Sequence, residues 1–264
     1  MKTPVLKALG LISLAGAMVS GLQAVVVDFS NSTDLADNFR SYANSSSVSV
    51  SQGNNTFVTV NGATFATSPN ILIYDTTPLD TTSYNTFALN LGQTLTVSID
   101  IASITGAASS VGFYFLNSAQ PLSGTAFSHN LALMNFDNSG TDELARFAVY
   151  ASMTGQTLNN GTPSTGNGIA LNNPTFQTVT ATYTRDSFSN ITMTLSTGAF
   201  TSTFTNNQSA SFSNVGIALR LFPATGTPAN SFLFDNFTVV PEPSTWALLG
   251  LGLGATLFFR RRKD

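Results

Sequence analysis

Between residues 25 and 240 few side chains are able to do chemistry. One histidine, His129, stands beside Ser128, and cysteine is absent. The carboxylates are Asp28, Asp34, Asp37, Asp75, Asp80, Asp100, Asp137, Asp142, Glu143, Asp186 and Asp235. A serine triad needs a histidine to take the hydroxyl proton. His129 is the sole candidate, and no Gly-x-Ser-x-Gly elbow accompanies it. It reads as a polar loop residue. Glycoside hydrolysis needs two carboxylates, about 5 Å apart for retention. This stretch has one glutamate, and no two aspartates alternate within a predicted strand. Zinc sites built from His and Cys are excluded, and no Walker-type or dinucleotide-binding glycine loop is present. The expectation is a protein that is not an enzyme. Hard-oxygen chemistry remains, because Ca²⁺ takes carboxylate and amide oxygens. Asp28 and Asp235 can supply them, although they read first as two ordinary strand-end aspartates in hydrogen bonds. So can the loop Asp137-Asn138-Ser139-Gly140-Thr141-Asp142-Glu143, although it lacks the EF-hand spacing and reads first as a solvated turn.

The elements that would hold these residues are strands. Leu95, Val97, Ile99 and Ile101 alternate with Thr94, Thr96, Ser98 and Asp100. Val179, Ala181 and Tyr183 alternate with threonines from Thr178 to Thr184, and Ile191, Met193 and Leu195 with Thr192, Thr194 and Ser196. Period two with one apolar and one hydroxylated face is the pattern of a half-buried strand. The residues 185–190 make a hairpin connection. Further strands are expected at 47–51, 56–60, 70–74, 111–116, 146–151, 199–205, 215–222 and 231–239. Asp34 to Arg40 is a single helical turn at most. About a dozen short strands and no helical stripe imply an all-β fold, a two-sheet sandwich of jelly-roll type. Two long loops, 117–144 with His129 and 152–174, are where binding would sit on such a scaffold. The threonine runs follow no constant repeat, so a solenoid is not expected. Threonines on the solvent face of a sandwich account for them more simply than an ice-binding array.

Charge narrows the partners. The same stretch has four arginines (Arg40, Arg146, Arg185, Arg220) and no lysine against its eleven acids, a formal −7. The whole chain carries −3. Such a surface repels phosphate backbones, which argues against nucleic acid.

The two ends read as addresses. Lys2 and Lys7 precede an apolar run from Ala8 to Val19, and Leu22-Gln23-Ala24 ends in a small residue. This is a secretory signal peptide over 1–24, to be cut by signal peptidase. At the other end, Val240-Pro241-Glu242-Pro243-Ser244 leads to an apolar run, Thr245 to Phe259, and then to Arg260-Arg261-Arg262-Lys263-Asp264. Fifteen residues of helix reach about 22 Å at 1.5 Å per residue, against about 30 Å of bilayer hydrocarbon. The run is short for a permanent span. Trp246 can sit at one interface, with Arg260, Arg261 and Arg262 snorkelling at the other. The basic cluster favours the cytoplasm, which puts residues 1–240 outside the cytoplasmic membrane. Gly250 and Gly254 form one GxxxG pair. Pro241 and Pro243 disfavour helix before the span and predict an extended, accessible strip where a processing enzyme acts.

This order of parts resembles the PEP-CTERM sorting signal, a tail also labelled an ice-binding-protein C-terminal domain. The resemblance covers 240–264, with the motif at 241–243, the helix at 245–259 and the basic tail at 260–263. It implies recognition of Pro241, Glu242 and Pro243 by exosortase, removal of the helix, and a Gram-negative host that makes exopolysaccharide. Those residues then belong to a substrate and are not catalytic. The intervening sandwich, 25–239, opens on Val25-Val26-Val27-Asp28-Phe29 and closes on Phe232-Leu233-Phe234-Asp235-Asn236-Phe237-Thr238-Val239. These resemble the terminal strands of concanavalin-A-like and carbohydrate-binding sandwiches. That resemblance implies paired terminal strands, with a structural calcium at Asp28 and Asp235. Jelly-roll glucanases carry a Glu-x-Asp-x-Glu strand, which this chain lacks.

Three functions stay open at this point. One is a non-enzymatic surface or biofilm-matrix protein that contacts exopolysaccharide, with Tyr74, Tyr84, Tyr114 and Tyr150 as candidate aromatic platforms, although core packing is the default reading of each. The second is a diverged glycan-processing enzyme. The third is a purely structural matrix protein.

Overall fold

The computed structural model describes residues 24–43, 48–52, 58–62, 70–76, 84–102, 110–117, 131–138, 143–150, 156–160, 175–197, 200–206, 212–222 and 231–242. Sixteen strands and one short helix, α1 (Asp34–Asn38), make up most of these residues. The strands are β1 (Val25–Val27), β2 (Phe39–Ala43), β3 (Val48–Gln52), β4 (Val58–Gly62), β5 (Asn70–Tyr74), β6 (Thr86–Ala88), β7 (Thr94–Ala102) and β8 (Ser110–Asn117). They continue as β9 (Leu131–Asn138), β10 (Glu143–Tyr150), β11 (Gln156–Asn160), β12 (Gln177–Arg185), β13 (Ile191–Thr197), β14 (Phe200–Asn206), β15 (Asn214–Phe222) and β16 (Ser231–Pro241). Two eight-stranded sheets result. The first runs β14-β13-β12-β7-β16-β4-β3, with β1 also on β16; the second runs β11-β10-β9-β8-β15-β5-β2, with β6 also on β15. The expected all-β sandwich is therefore the fold.

The strands with period-two sequences form the first sheet. Leu95, Val97, Ile99, Val179, Ala181, Tyr183, Ile191, Met193 and Leu195 are all essentially inaccessible, and the hydroxylated residues between them face outward. The second sheet follows another rule. Val111 to Leu116 and Ile71 to Asp75 are buried without a break, so the central strands β8 and β5 are covered on both faces. Such strands read as continuous apolar runs. Over β15, the Tyr84 ring closes onto Gly216 so tightly that a Cβ at that position would overlap it. Aromatic contacts join the layers: Phe115 stacks on Tyr183 at 5.4 Å, and Phe39 meets Phe237 edge-on at 5.0 Å. Together these residues belong to one apolar core.

The terminal strands pair, Val25 with Val239 and Val27 with Phe237. The closing strand also takes β7 along its other edge and β4 beside its first residues, so it is central, not peripheral. Its register slips between Asp235 and Thr238, and Asn236 there has φ 50°. One extra residue in the strand is a β-bulge. It lets Phe234 and Phe237, three apart, both point into the core.

Two expectations change. Residues 117–144 are not one long loop, because β9 occupies 131–138 and pairs with β8 and β10. Within 152–174, Gln156–Asn160 forms β11 against β10. Asn138 pairs with Glu143, and residues 139–142 of the Asp137–Glu143 segment lie outside the described residues. His129 and Ser128 lie outside the described residues.

Candidate functional site

The sorting strip begins inside the sandwich. The last strand runs through Pro241, which is buried and opposes Leu95. A proline is tolerated here because β1 begins opposite Val239, so past that point one edge of the closing strand asks for no amide donor. The Glu242 amide then donates to the Thr94 carbonyl at 2.8 Å, and the Thr96 hydroxyl donates to Glu242 Oε1 at 3.0 Å. Pro241, the first residue of the strip, is part of β16, and Glu242 is fastened to β7 rather than free. Pro243, Trp246, Gly250, Gly254, Arg260, Arg261 and Arg262 lie outside the described residues, as does the expected signal peptide up to residue 23. Among the described residues no helix is long and apolar enough to cross a membrane.

Beside this strip lies a face of hydroxyls. The ladder registers align Thr205, Thr192, Thr184 and Thr94 in one row, Thr203, Thr194, Thr182 and Thr96 in the next, and Thr201, Ser196, Thr180 and Ser98 in the third. Strands about 4.8 Å apart and alternate residues about 6.8 Å apart set the spacing. Neighbours within a row bond to one another: Thr94 with Thr184 at 2.9 Å, and Thr192 with Thr205 and Thr194 with Thr203, each at 3.1 Å. Cross-strand threonine pairs stabilise a sheet, which gives these residues a structural role before any binding role.

Below the third row stand the acids. Asp100 opposes Asp235 across the β7–β16 ladder, and Asp28 follows β1. Burial first, and then the charges of Asp100 and Asp28, push the Asp235 carboxyl above its ordinary range against the opposing Asn236 amide. That amide donates to Asp235 Oδ1 at 2.8 Å. Asp28 is held low, first by the side chain of Ser30 and then by its amide, which donates at 3.1 Å. Asp100 accepts from the Thr178 hydroxyl and from Asn236 Nδ2. The fold thus brings Asp28 and Asp235 into one neighbourhood and adds Asp100, which the sequence did not single out. Calcium would need the three to converge. Among the described residues no group of three or more His, Cys, Asp or Glu is placed to hold a metal ion, and Asp28 Oδ1, Asp235 Oδ1 and both Asp100 oxygens already accept from neighbouring donors.

The aromatic platforms fare differently. Tyr74 and Tyr114 are buried, so neither can stack on a sugar; Tyr74 packs against Phe39, Phe87 and Phe237. Burial alone pushes the Tyr84 phenol up to about 12, and its hydroxyl donates to the Asn117 carbonyl at 3.3 Å. Tyr150 ends β10, and its side chain lies outside the description. The residues that sequence reasoning passed over are therefore the aligned hydroxyls. Their signal was present as threonine periodicity, but the cross-strand register that makes rows of it is set only by folding.

Several solved structures share the architecture. A GlcNAcα1-4Gal-releasing endo-β-galactosidase from Clostridium perfringens matches with TM-score 0.50 at 9% identity, over 85% of this chain and 64% of that one. A lectin from Bauhinia forficata in complex with GalNAc matches with TM-score 0.48 at 10% identity, over 84% and 100%. The carbohydrate recognition domain of Emp47p matches with TM-score 0.48 at 13% identity, over 85% and 98%. At such identities these likenesses concern the fold alone. No curated protein sequence matches the chain. The tail is specific where the sandwich is general: residues 239–263 match the PEP-CTERM protein-sorting motif, which makes this an exported protein with a sorting tail.

Proposed function

We propose that the protein is an exosortase-processed surface or matrix protein whose sandwich contacts extracellular polysaccharide without transforming it. The observation that carries this reading is the sorting motif at 239–263, joined with no linker to a sandwich whose last strand already contains Pro241. Polysaccharide contact is supported by the exposed face of the first sheet. Every Ser or Thr hydroxyl there both donates and accepts, as sugar hydroxyls do. The face carries few charges, and its hydroxyls stand at fixed ladder spacings. The non-enzymatic reading is supported by the acids. Asp28, Asp100 and Asp235 cluster at the exposed bulge, each with its own hydrogen-bond partners, whereas a hydrolase needs a carboxyl pair flanking a bound sugar.

Intact mass of the protein from its native host, with and without exosortase, tests the sorting reading. Loss of the tail beyond the Pro-Glu-Pro strip only when exosortase is present is the expected result. A mass running through Asp264 in both strains would overturn it and leave a simple anchored protein.

A further inference from the structure

The tail leaves the sandwich at one of its ends, and that end is not wholly polar. The start of β7, the β12–β13 hairpin and the end of β16 coincide there, because Thr94 opposes Thr184 and Leu95 opposes Pro241. The turn before β7 is bonded to the hairpin. The Gly92 amide donates to the Arg185 carbonyl at 2.7 Å, and the Arg185 amide donates to the Gln93 carbonyl at 3.0 Å. Arg185 Nη1 donates to the Leu89 carbonyl at 2.7 Å. On these two joined turns stand two exposed apolar side chains, Phe188 at 76% and Leu91 at 39%. The Arg185 guanidinium lies 5.7 Å from the centre of the Phe188 ring. Apolar side chains beside a cation, at the tips of turns, suit the layer where lipid headgroups meet hydrocarbon.

Chain length ties this end to that layer. Glu242 is fastened to β7, and the apolar run begins at Thr245. Three residues span at most about 11 Å. The headgroup layer on each side of a bilayer is itself about 5–8 Å thick. An inserted tail therefore draws the turns at residues 89–93 and 185–190 onto the headgroups.

We propose that the end of the sandwich bearing Leu91 and Phe188 is a membrane-seating surface, resting on the bilayer that holds the chain's own tail. The proposal rests on the sorting-tail reading. The precursor then stands on the lipid with Glu242 at headgroup level, and the motif is presented between folded protein and bilayer.

The chain has no cysteine and one tryptophan, so site-specific probes are clean. In the full chain, Ser189→Cys, next to Phe188 and exposed, takes an environment-sensitive fluorophore. Thr175→Cys, exposed at the opposite end, takes the same label. Both are reconstituted in phosphatidylethanolamine–phosphatidylglycerol vesicles containing headgroup-level nitroxide lipids, and Trp246 emission reports insertion of the tail. The expected result is quenching at 189 at least threefold stronger than at 175, with Trp246 quenched. Equal quenching at 189 and 175 with Trp246 quenched overturns the seating surface and leaves the sorting reading intact. An unquenched Trp246 overturns both.

Discussion

The fastening of Glu242 to β7 has a cost of opening that can be worked out. One exposed amide–carbonyl bond contributes about 1 kcal/mol. The Thr96 hydroxyl on an exposed carboxylate adds about 0.5–1 kcal/mol once competition with water is counted. Covering the Pro241 ring adds about 1–2 kcal/mol. Release of the strip from β7 then costs about 2.5–4 kcal/mol, so the open form makes up roughly one part in a hundred to one in a thousand, at 1.4 kcal/mol per decade. Hydrogen exchange at the Glu242 amide measures this population directly, since local opening governs exchange. Protection of about a hundredfold to a thousandfold is expected in the full chain, and Thr96→Val should lower it about twofold to fivefold. Exchange of the parent amide at the rate of an unstructured peptide would refute the fastening. If the fastening holds, the rate of exosortase processing should rise with Thr96→Val in the same proportion, provided that the enzyme needs the strip released.

Two further outcomes are expected. Tyr183 is fully buried and accepts the Phe212 amide at 2.9 Å; Tyr183→Phe leaves that amide without this acceptor, at about 1–3 kcal/mol, so the thermal midpoint should fall by roughly 3–10 °C, and an unchanged midpoint would show the bond to be dispensable. The folded-state carboxyl of Asp235 is raised, so the folded state binds its proton more tightly than the unfolded chain does. This group's contribution is then most favourable below the ordinary aspartate range and is lost as pH rises through the raised value. Asp235→Asn keeps an acceptor for the Asn236 amide while removing the charge, so it should raise the melting temperature at pH 7 and leave it nearly unchanged at pH 3, and a lower midpoint at pH 7 would count against the electrostatic account.

The legibility of this fold in its sequence differs between the sheets for a physical reason. In the first sheet one face meets water, so Leu95 to Ile101 and Val179 to Tyr183 alternate with hydroxyls and announce both strand and orientation. In the second, β8 and β5 are covered on both sides. Val111 to Leu116 and Ile71 to Tyr74 show that they are strands but not which face looks inward. β9 was hidden in an expected loop, because Leu131-Ala132-Leu133-Met134-Asn135-Phe136 has no alternation; β6, three residues long, had too few positions to show any. The bulge was legible in retrospect. Phe234 and Phe237 break the period-two phase of the last strand, and Asp235-Asn236 supply residues that tolerate its backbone. The sorting motif was readable because it is a linear signal. Its attachment to β7 was not, because Thr94 and Thr96 lie far from Glu242 along the chain.

The closing strand sets an order of events during secretion. A chain crossing a membrane from its N-terminus delivers β1, β4 and β7 long before β16, yet each of the three uses β16 as a ladder partner. The first sheet cannot be completed until residue 241 has emerged, and the apolar run follows almost at once. Folding of the sandwich and arrest of the tail in the bilayer are thus nearly simultaneous. Until then the exporting cell must keep the half-translocated polypeptide from aggregating, and a ribosome that stalls before β16 releases a product lacking both its central strand and its sorting address.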